Sequence, residues 1–163
     1  MRHWFVLVAT PLVMHATGFA GGMYALPILK GPGAPDTAAL QNIATETLHA
    51  GRLVRNLHGS NLIHWSDDEV EISRNRIAHI WRLAPGMDCK LYLLPRFVET
   101  KEAFLQTKDK SLRVGDVKTF NGFIVESPPA VNVCDYNAIF IRREAFGQFI
   151  SAAEYRPSRQ ANQ

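Results

Sequence analysis

The chain has 163 residues, with 18 Lys and Arg, 15 Asp and Glu, and two cysteines. Its 47% hydrophobic and 20% charged residues match an ordinary globular domain, which excludes wholesale disorder, collagen-like repeats and a disulfide-dense scaffold. A formal charge of +3 makes no positive case for nucleic acid as a partner.

The first predicted element is apolar. From Trp4 through Leu29 there is no charged side chain, and Arg2 and Lys30 flank the run. Such a run can cross the roughly 30 Å hydrocarbon core of a bilayer as a tilted helix. Two readings fit residues 1–30: a cleaved secretory signal, or an uncleaved signal anchor. A signal peptide's apolar region usually runs about 7–15 residues, so the length favours a transmembrane anchor. Arg2 favours a cytoplasmic start, which puts the rest of the chain on the periplasmic or outer face of a bacterial inner membrane. Secretion after cleavage is the alternative location. Gly18 and Gly22 are spaced to let two membrane helices approach closely, so a homodimer through that face is one candidate. Small residues are also simply common in such helices.

Residues 31–46 read as a linker and a short helix. Gly31, Pro32, Gly33 and Pro35 stop the first helix, and Asp36 offers an N-cap to an Ala- and Leu-rich segment. From residue 47 the pattern changes to short strands separated by turns. Strands are predicted at 47–57, 62–65, 69–73, 76–83, 89–94, 112–114, 119–126, 136–143 and 148–155. Period-two alternation turns Val70 and Ile72 to a core, and sets Ile77, His79 and Trp81 opposite Ala78, Ile80 and Arg82. Residues 95–110 break the rhythm, either as a long loop or with a short helix around 100–107. The fold class is therefore all-β: a sandwich-like domain of about eight short strands over residues 47–156, preceded by one transmembrane or signal helix. Residues 157–163 form a flexible tail.

Few residues carry chemistry by their pattern. The histidines His3, His15, His49, His58, His64 and His79 match no zinc-protease spacing, and no haem-attachment motif occurs. His58 and His64 could meet across a hairpin, but ordinary turn and strand histidines explain them as well. No metal site, haem, zinc or nucleotide signature is present, so the cofactor is unknown. The acidic residues Asp67, Asp68, Glu69 and Glu71 read as a solvated hairpin. Cys89 and Cys134 are the candidate redox or disulfide pair. Bridged, they would close a loop of about 45 residues and stabilise the fold by roughly 4 kcal/mol. Left apart, they are two separate thiols. No nucleophile elbow exists, so an enzyme is not expected.

Several segments together resemble the DM-thirteen domain family, the small β-rich domains associated with DOMON domains, and in particular its bacterial members with a single anchor. The resemblance begins at Gly22-Met23-Tyr24-Ala25-Leu26-Pro27-Ile28-Leu29 and continues through His49-Ala50-Gly51-Arg52 and Gly59-Ser60-Asn61. It includes Leu83-Ala84-Pro85-Gly86, Lys90-Leu91-Tyr92-Leu93 and Phe97-Val98-Glu99-Thr100, and ends with Glu144-Ala145-Phe146-Gly147-Gln148-Phe149-Ile150. Its strongest stretch runs from Arg113 through Gly115, Asp116, Lys118, Thr119, Phe120 and Gly122 to Phe123. The resemblance implies a β-sandwich-like fold outside the cytoplasm and a suspected role in electron transfer. That role centres on a family cysteine whose place is taken here by Arg143. A guanidinium has no accessible redox chemistry. The expected function is thus a membrane-anchored extracytoplasmic module that binds a protein partner or a small ligand. An electron-transfer accessory is the alternative.

Overall fold

The computed structural model describes residues 2–30, 33, 35–36, 38, 45–54, 57–59, 66, 68–82, 88–119, 121–145 and 147–157. The chain divides into two units, Met1–Gly31 and Pro32–Gln163.

The first unit is one helix, α1 (Arg2–Lys30). Its stretch Val6–Met23 is long and apolar enough to cross a membrane. Trp4, Leu12, Met14 and Phe19 are all exposed within the unit. Apolar side chains facing outward around a helix suit a lipid surrounding better than water. The polar side chains inside the run bond to the helix's own carbonyls. His15 Nδ1 lies 2.9 Å from the Pro11 carbonyl, and Thr17 Oγ1 donates to the Val13 carbonyl at 2.8 Å. Each hydroxyl or ring nitrogen satisfied in this way costs less to place in hydrocarbon.

The second unit is a sandwich of two antiparallel four-stranded sheets. One sheet has the order β1 (His49–Leu53), β2 (Asp68–Ile72), β3 (Arg76–Arg82), β6 (Asn121–Glu126). The other has the order β5 (Leu112–Val117), β4 (Cys89–Leu94), β7 (Ala138–Arg143), β8 (Gln148–Glu154). The main core lies between the sheets. Leu53, Val70, Ile72, Ile77 and Val125 meet Leu91, Leu93, Ile139, Ile141 and Ile150 there.

A second core covers the outer face of the β5-β4-β7-β8 sheet. Tyr92, Leu94, Phe140 and Phe149 pack under Phe104 of α2 (Lys101–Thr107), with Val98 beside them. This explains why every residue of β4 is buried, although its side chains alternate between faces. Alternation still decides which core each residue joins: Leu91 and Leu93 the first, Tyr92 and Leu94 the second. α2 is two turns long and depends on its cap and on Phe104. Thr100 Oγ1 accepts from the Ala103 amide at 3.2 Å. Thr100→Ala is expected to lower stability by about 1 kcal/mol, measured as a shift of the urea midpoint at constant m-value.

Several expectations need correction. The first strand covers only His49–Leu53, because Leu57 leaves the sheet to pack on the second core. The strand expected at 112–114 runs on to Val117, so Gly115, Asp116 and Val117 are strand residues and not loop residues. Leu91 pairs with Gly115 and Tyr92 with Arg113, which leaves Val114 as the extra residue of a β-bulge. On β3, Ile77 joins the inter-sheet core, His79 meets Phe123 of that core and Ala78 packs with Ile124 instead, so both faces of the strand are covered. His79 is held as a core residue. Its Nδ1 is 3.0 Å from the Glu69 carbonyl and its Nε2 is 3.3 Å from Ser66 Oγ. The expected strand at 62–65, His64, most of the linker helix and the tail beyond residue 157 lie outside the described residues.

Candidate functional site

The segment from Gly115 to Phe123 connects the two sheets, since β5 belongs to one and β6 to the other. Gly115, Asp116, Lys118, Thr119 and Phe123 line one cavity of about 520 Å3, with Ile124, Val125 and Glu126 of β6 and Gly33 and Pro35 of the linker. Phe120 lies outside the described residues. Gly115 keeps the two sheets close at this edge. A Cβ there would stand 2.8 Å from Val125 Cγ1. Gly122 has φ +90°, a backbone region that L side chains rarely adopt, and its carbonyl accepts from Thr119 Oγ1. The turn between β5 and β6 is therefore closed by its own side chain. Phe123 is buried, with its ring centroid 5.4 Å from that of His79.

Asp116 belongs to a charge network. Lys90 Nζ lies 2.7 Å from Asp88 Oδ1 and 3.0 Å from Asp116 Oδ1. Arg113 adds a contact to the same Asp116 oxygen at 2.8 Å. The Arg113 hydrogen bond, then that from Lys90, holds the Asp116 carboxyl below its ordinary range. The hydrogen bond to Lys90 does the same for Asp88, and Asp88 in turn raises Lys90. Each group favours its charged form because the opposite charge is in contact. The network fixes one wall of the cavity.

The strand end at Arg142 and Arg143 resolves in two directions. Arg142 turns inward and is 6% exposed. Its guanidinium stands 5.0 Å from the Phe104 ring centroid, and its Nε is 3.9 Å from Glu144 Oε2. Glu144 Oε2 also accepts from Tyr92 OH at 2.8 Å. Burial, then this bond, raises the Tyr92 phenol to about 12. Arg143 pairs across the strands with Cys89. A thiol thus does stand beside this position, one strand away. It is 1% exposed, and burial pushes its pKa up to about 11 even though Arg143 opposes the shift. A buried neutral thiol is a poor nucleophile.

No disulfide joins the two cysteines. Cys89 sits in the inter-sheet core, whereas Cys134 is exposed on the short 3-10 turn Val133–Asp135. The structure therefore has two separate thiols in place of a bridge. Cys134 instead meets a residue that the sequence did not pair with it. Its Sγ is 3.7 Å from His49 Nε2, across 85 residues of chain. No local motif could have signalled this contact, because β1 and the 133–135 turn approach only through the folded sandwich. His58 pairs with Glu99 at 2.6 Å, and that contact holds the Glu99 carboxyl below its ordinary range. Among the described residues no group of three or more His, Cys, Asp or Glu side chains is placed to hold a metal ion.

Comparison with protein-family models, with curated proteins and with solved structures finds no match to this chain.

Proposed function

We propose that this chain is a single-pass membrane protein whose α1 anchors a β-sandwich outside the cytoplasm, where the sandwich binds a small ligand or a partner protein without catalysing a reaction. The carrying observation is the cavity beside β5 and β6. Five of the residues that form the strongest part of the DM-thirteen resemblance line it together. Its lining combines Asp116, Lys118 and Glu126 with Ile124 and Val125, which suits a ligand with both charged and apolar parts. The length and apolarity of Val6–Met23 support the anchor, and Arg2 ahead of it supports the outward orientation.

The electron-transfer role implied by the same resemblance is the second reading. The buried Cys89 thiol weakens it, and the exposed Cys134 beside His49 favours it.

Ile124→Trp fills the cavity from its β6 wall. In thermal-shift measurements against a panel of small carboxylates, amines and sugars, at least one class is expected to raise the Tm of the detergent-solubilised chain. The same compound leaves Ile124→Trp unchanged. A panel that moves neither protein removes the small-ligand form of the proposal. A reporter fused after Gln163 is expected to be active outside the cytoplasm, and a cytoplasmic signal overturns the orientation.

A further inference from the structure

Cys134 is presented by a well-braced turn. Asn132 Oδ1 accepts from the Cys134 amide at 3.2 Å, and Asn132 Nδ2 donates to Asp135 Oδ1 at 3.2 Å. Tyr155 OH donates to the Val133 carbonyl at 2.8 Å. Arg156 donates to the carbonyl of Cys134 itself. The thiol therefore belongs to an exposed residue with a braced backbone, and an imidazole nitrogen stands 3.7 Å from it. It also stands on the wall of a second cavity, of about 640 Å3, that shares no lining residue with the first. Among the described residues, Arg96, Lys110 and Arg156 line that cavity against one acid, Asp135. Cations that outnumber anions around a concave surface concentrate negatively charged small molecules.

We propose that Cys134 is an exchange-competent thiol, and that the basic cavity beside it collects low-molecular-weight disulfides that carry carboxylates. In the exchange, Cys134 Sγ attacks one sulfur of the bound disulfide. A new sulfur–sulfur bond forms to Cys134, the bond within the reagent breaks, and the departing thiolate leaves with the electron pair. The Cys134 proton passes toward His49 Nε2. Cys134 is oxidised to a mixed disulfide and one half of the reagent is reduced to a thiol, so no further oxidant enters. Burial, and then the nearby Arg156 charge, lower the His49 pKa. The ring is thus neutral near neutral pH, with a nitrogen free to bond to the thiol. This inference does not rest on the binding proposal, because the two cavities are separate.

The test compares oxidised glutathione, which is anionic, with cystamine, which is cationic. Both react with the full-length protein in detergent, and adducts are counted by intact mass against free cysteine in the same buffer. Relative to that reference, oxidised glutathione is expected to modify the protein about tenfold faster than cystamine at low salt. Raising the salt removes most of that preference. The double variant Arg96→Gln, Lys110→Gln loses it at low salt as well. His49→Gln slows both reagents alike, since it acts on the thiol and not on the reagent's charge. Cys134→Ser takes no adduct. Equal rates for the two reagents, or a preference that survives the double variant, overturn the role of the cavity. Adducts that persist in Cys134→Ser overturn the assignment of the thiol. If the double variant folds poorly, the salt titration of the unaltered protein reads the same charge effect.

Discussion

Phe140→Ala is expected to destabilise the β domain by about 3–5 kcal/mol, the largest loss from any single truncation considered. Phe140 is 1% exposed and lies at the centre of the second core. Its ring stacks on Phe104 with centroids 4.4 Å apart, and the Phe149 ring stands 5.1 Å away. Truncation removes both aromatic contacts at once and leaves a hole beside α2. The cavity also lies against Arg142, whose guanidinium faces the Phe104 ring. Water reaching that charge is expected to loosen α2 before the sheets separate. Urea unfolding followed by far-UV circular dichroism measures the loss. Hydrogen exchange of the amides of α2 checks the order of events. A midpoint unchanged from the parent protein would show that the second core contributes little to the fold.

Removing both carboxylates from Lys90 is expected to cost about 2 kcal/mol near neutral pH. The double variant Asp88→Asn, Asp116→Asn suits the purpose because Asp88 has φ +62°, a conformation that Asn tolerates well. Lys90 is 9% exposed, so the substitution leaves an ammonium group largely out of water with neutral partners. Asp88 and Asp116 keep access to solvent, and this lowers the cost from that of a fully buried pair. The sign follows from the shifts. Both carboxyls titrate below their ordinary value of 3.8 in the folded protein. Their stabilisation is thus full above that value and is lost as pH falls through the depressed folded values. Lys90 is raised above 10.5, so its share is present below that pH and is lost as pH rises through its folded value. Parent and variant should therefore differ most between about pH 5 and 9, and converge in strong acid. A constant difference across that acid range would assign the loss to packing and not to charge.

The sequence separated the strands well where side-chain alternation met a turn. Glu69, Val70, Glu71 and Ile72 show this: the two apolar residues are fully buried and the acids face away from the core. On β3 and β4 alternation assigned the faces but not the burial, because both faces are covered and polar and apolar residues are buried alike. It ended the strand at Val114, whereas Gly115 lies within β5, paired with Leu91 beside the bulge. At the candidate site, the motif from Gly115 to Phe123 was legible as a unit. Its role as one wall of a cavity was not, because the opposite wall comes from β6 and from the linker.

Length, apolarity and local periodicity were enough to define a membrane-length helix and a β domain, since these depend on neighbours a few residues apart. Register between distant strands needed the tertiary structure. It set Arg143 against Cys89, seated Lys90 between Asp88 and Asp116, and carried His49 to Cys134 over 85 residues. Each of these contacts is a product of sheet pairing and core packing acting together. No single segment holds the information, which is why the sequence left the two cysteines either bridged or separate and only the fold places them in different environments.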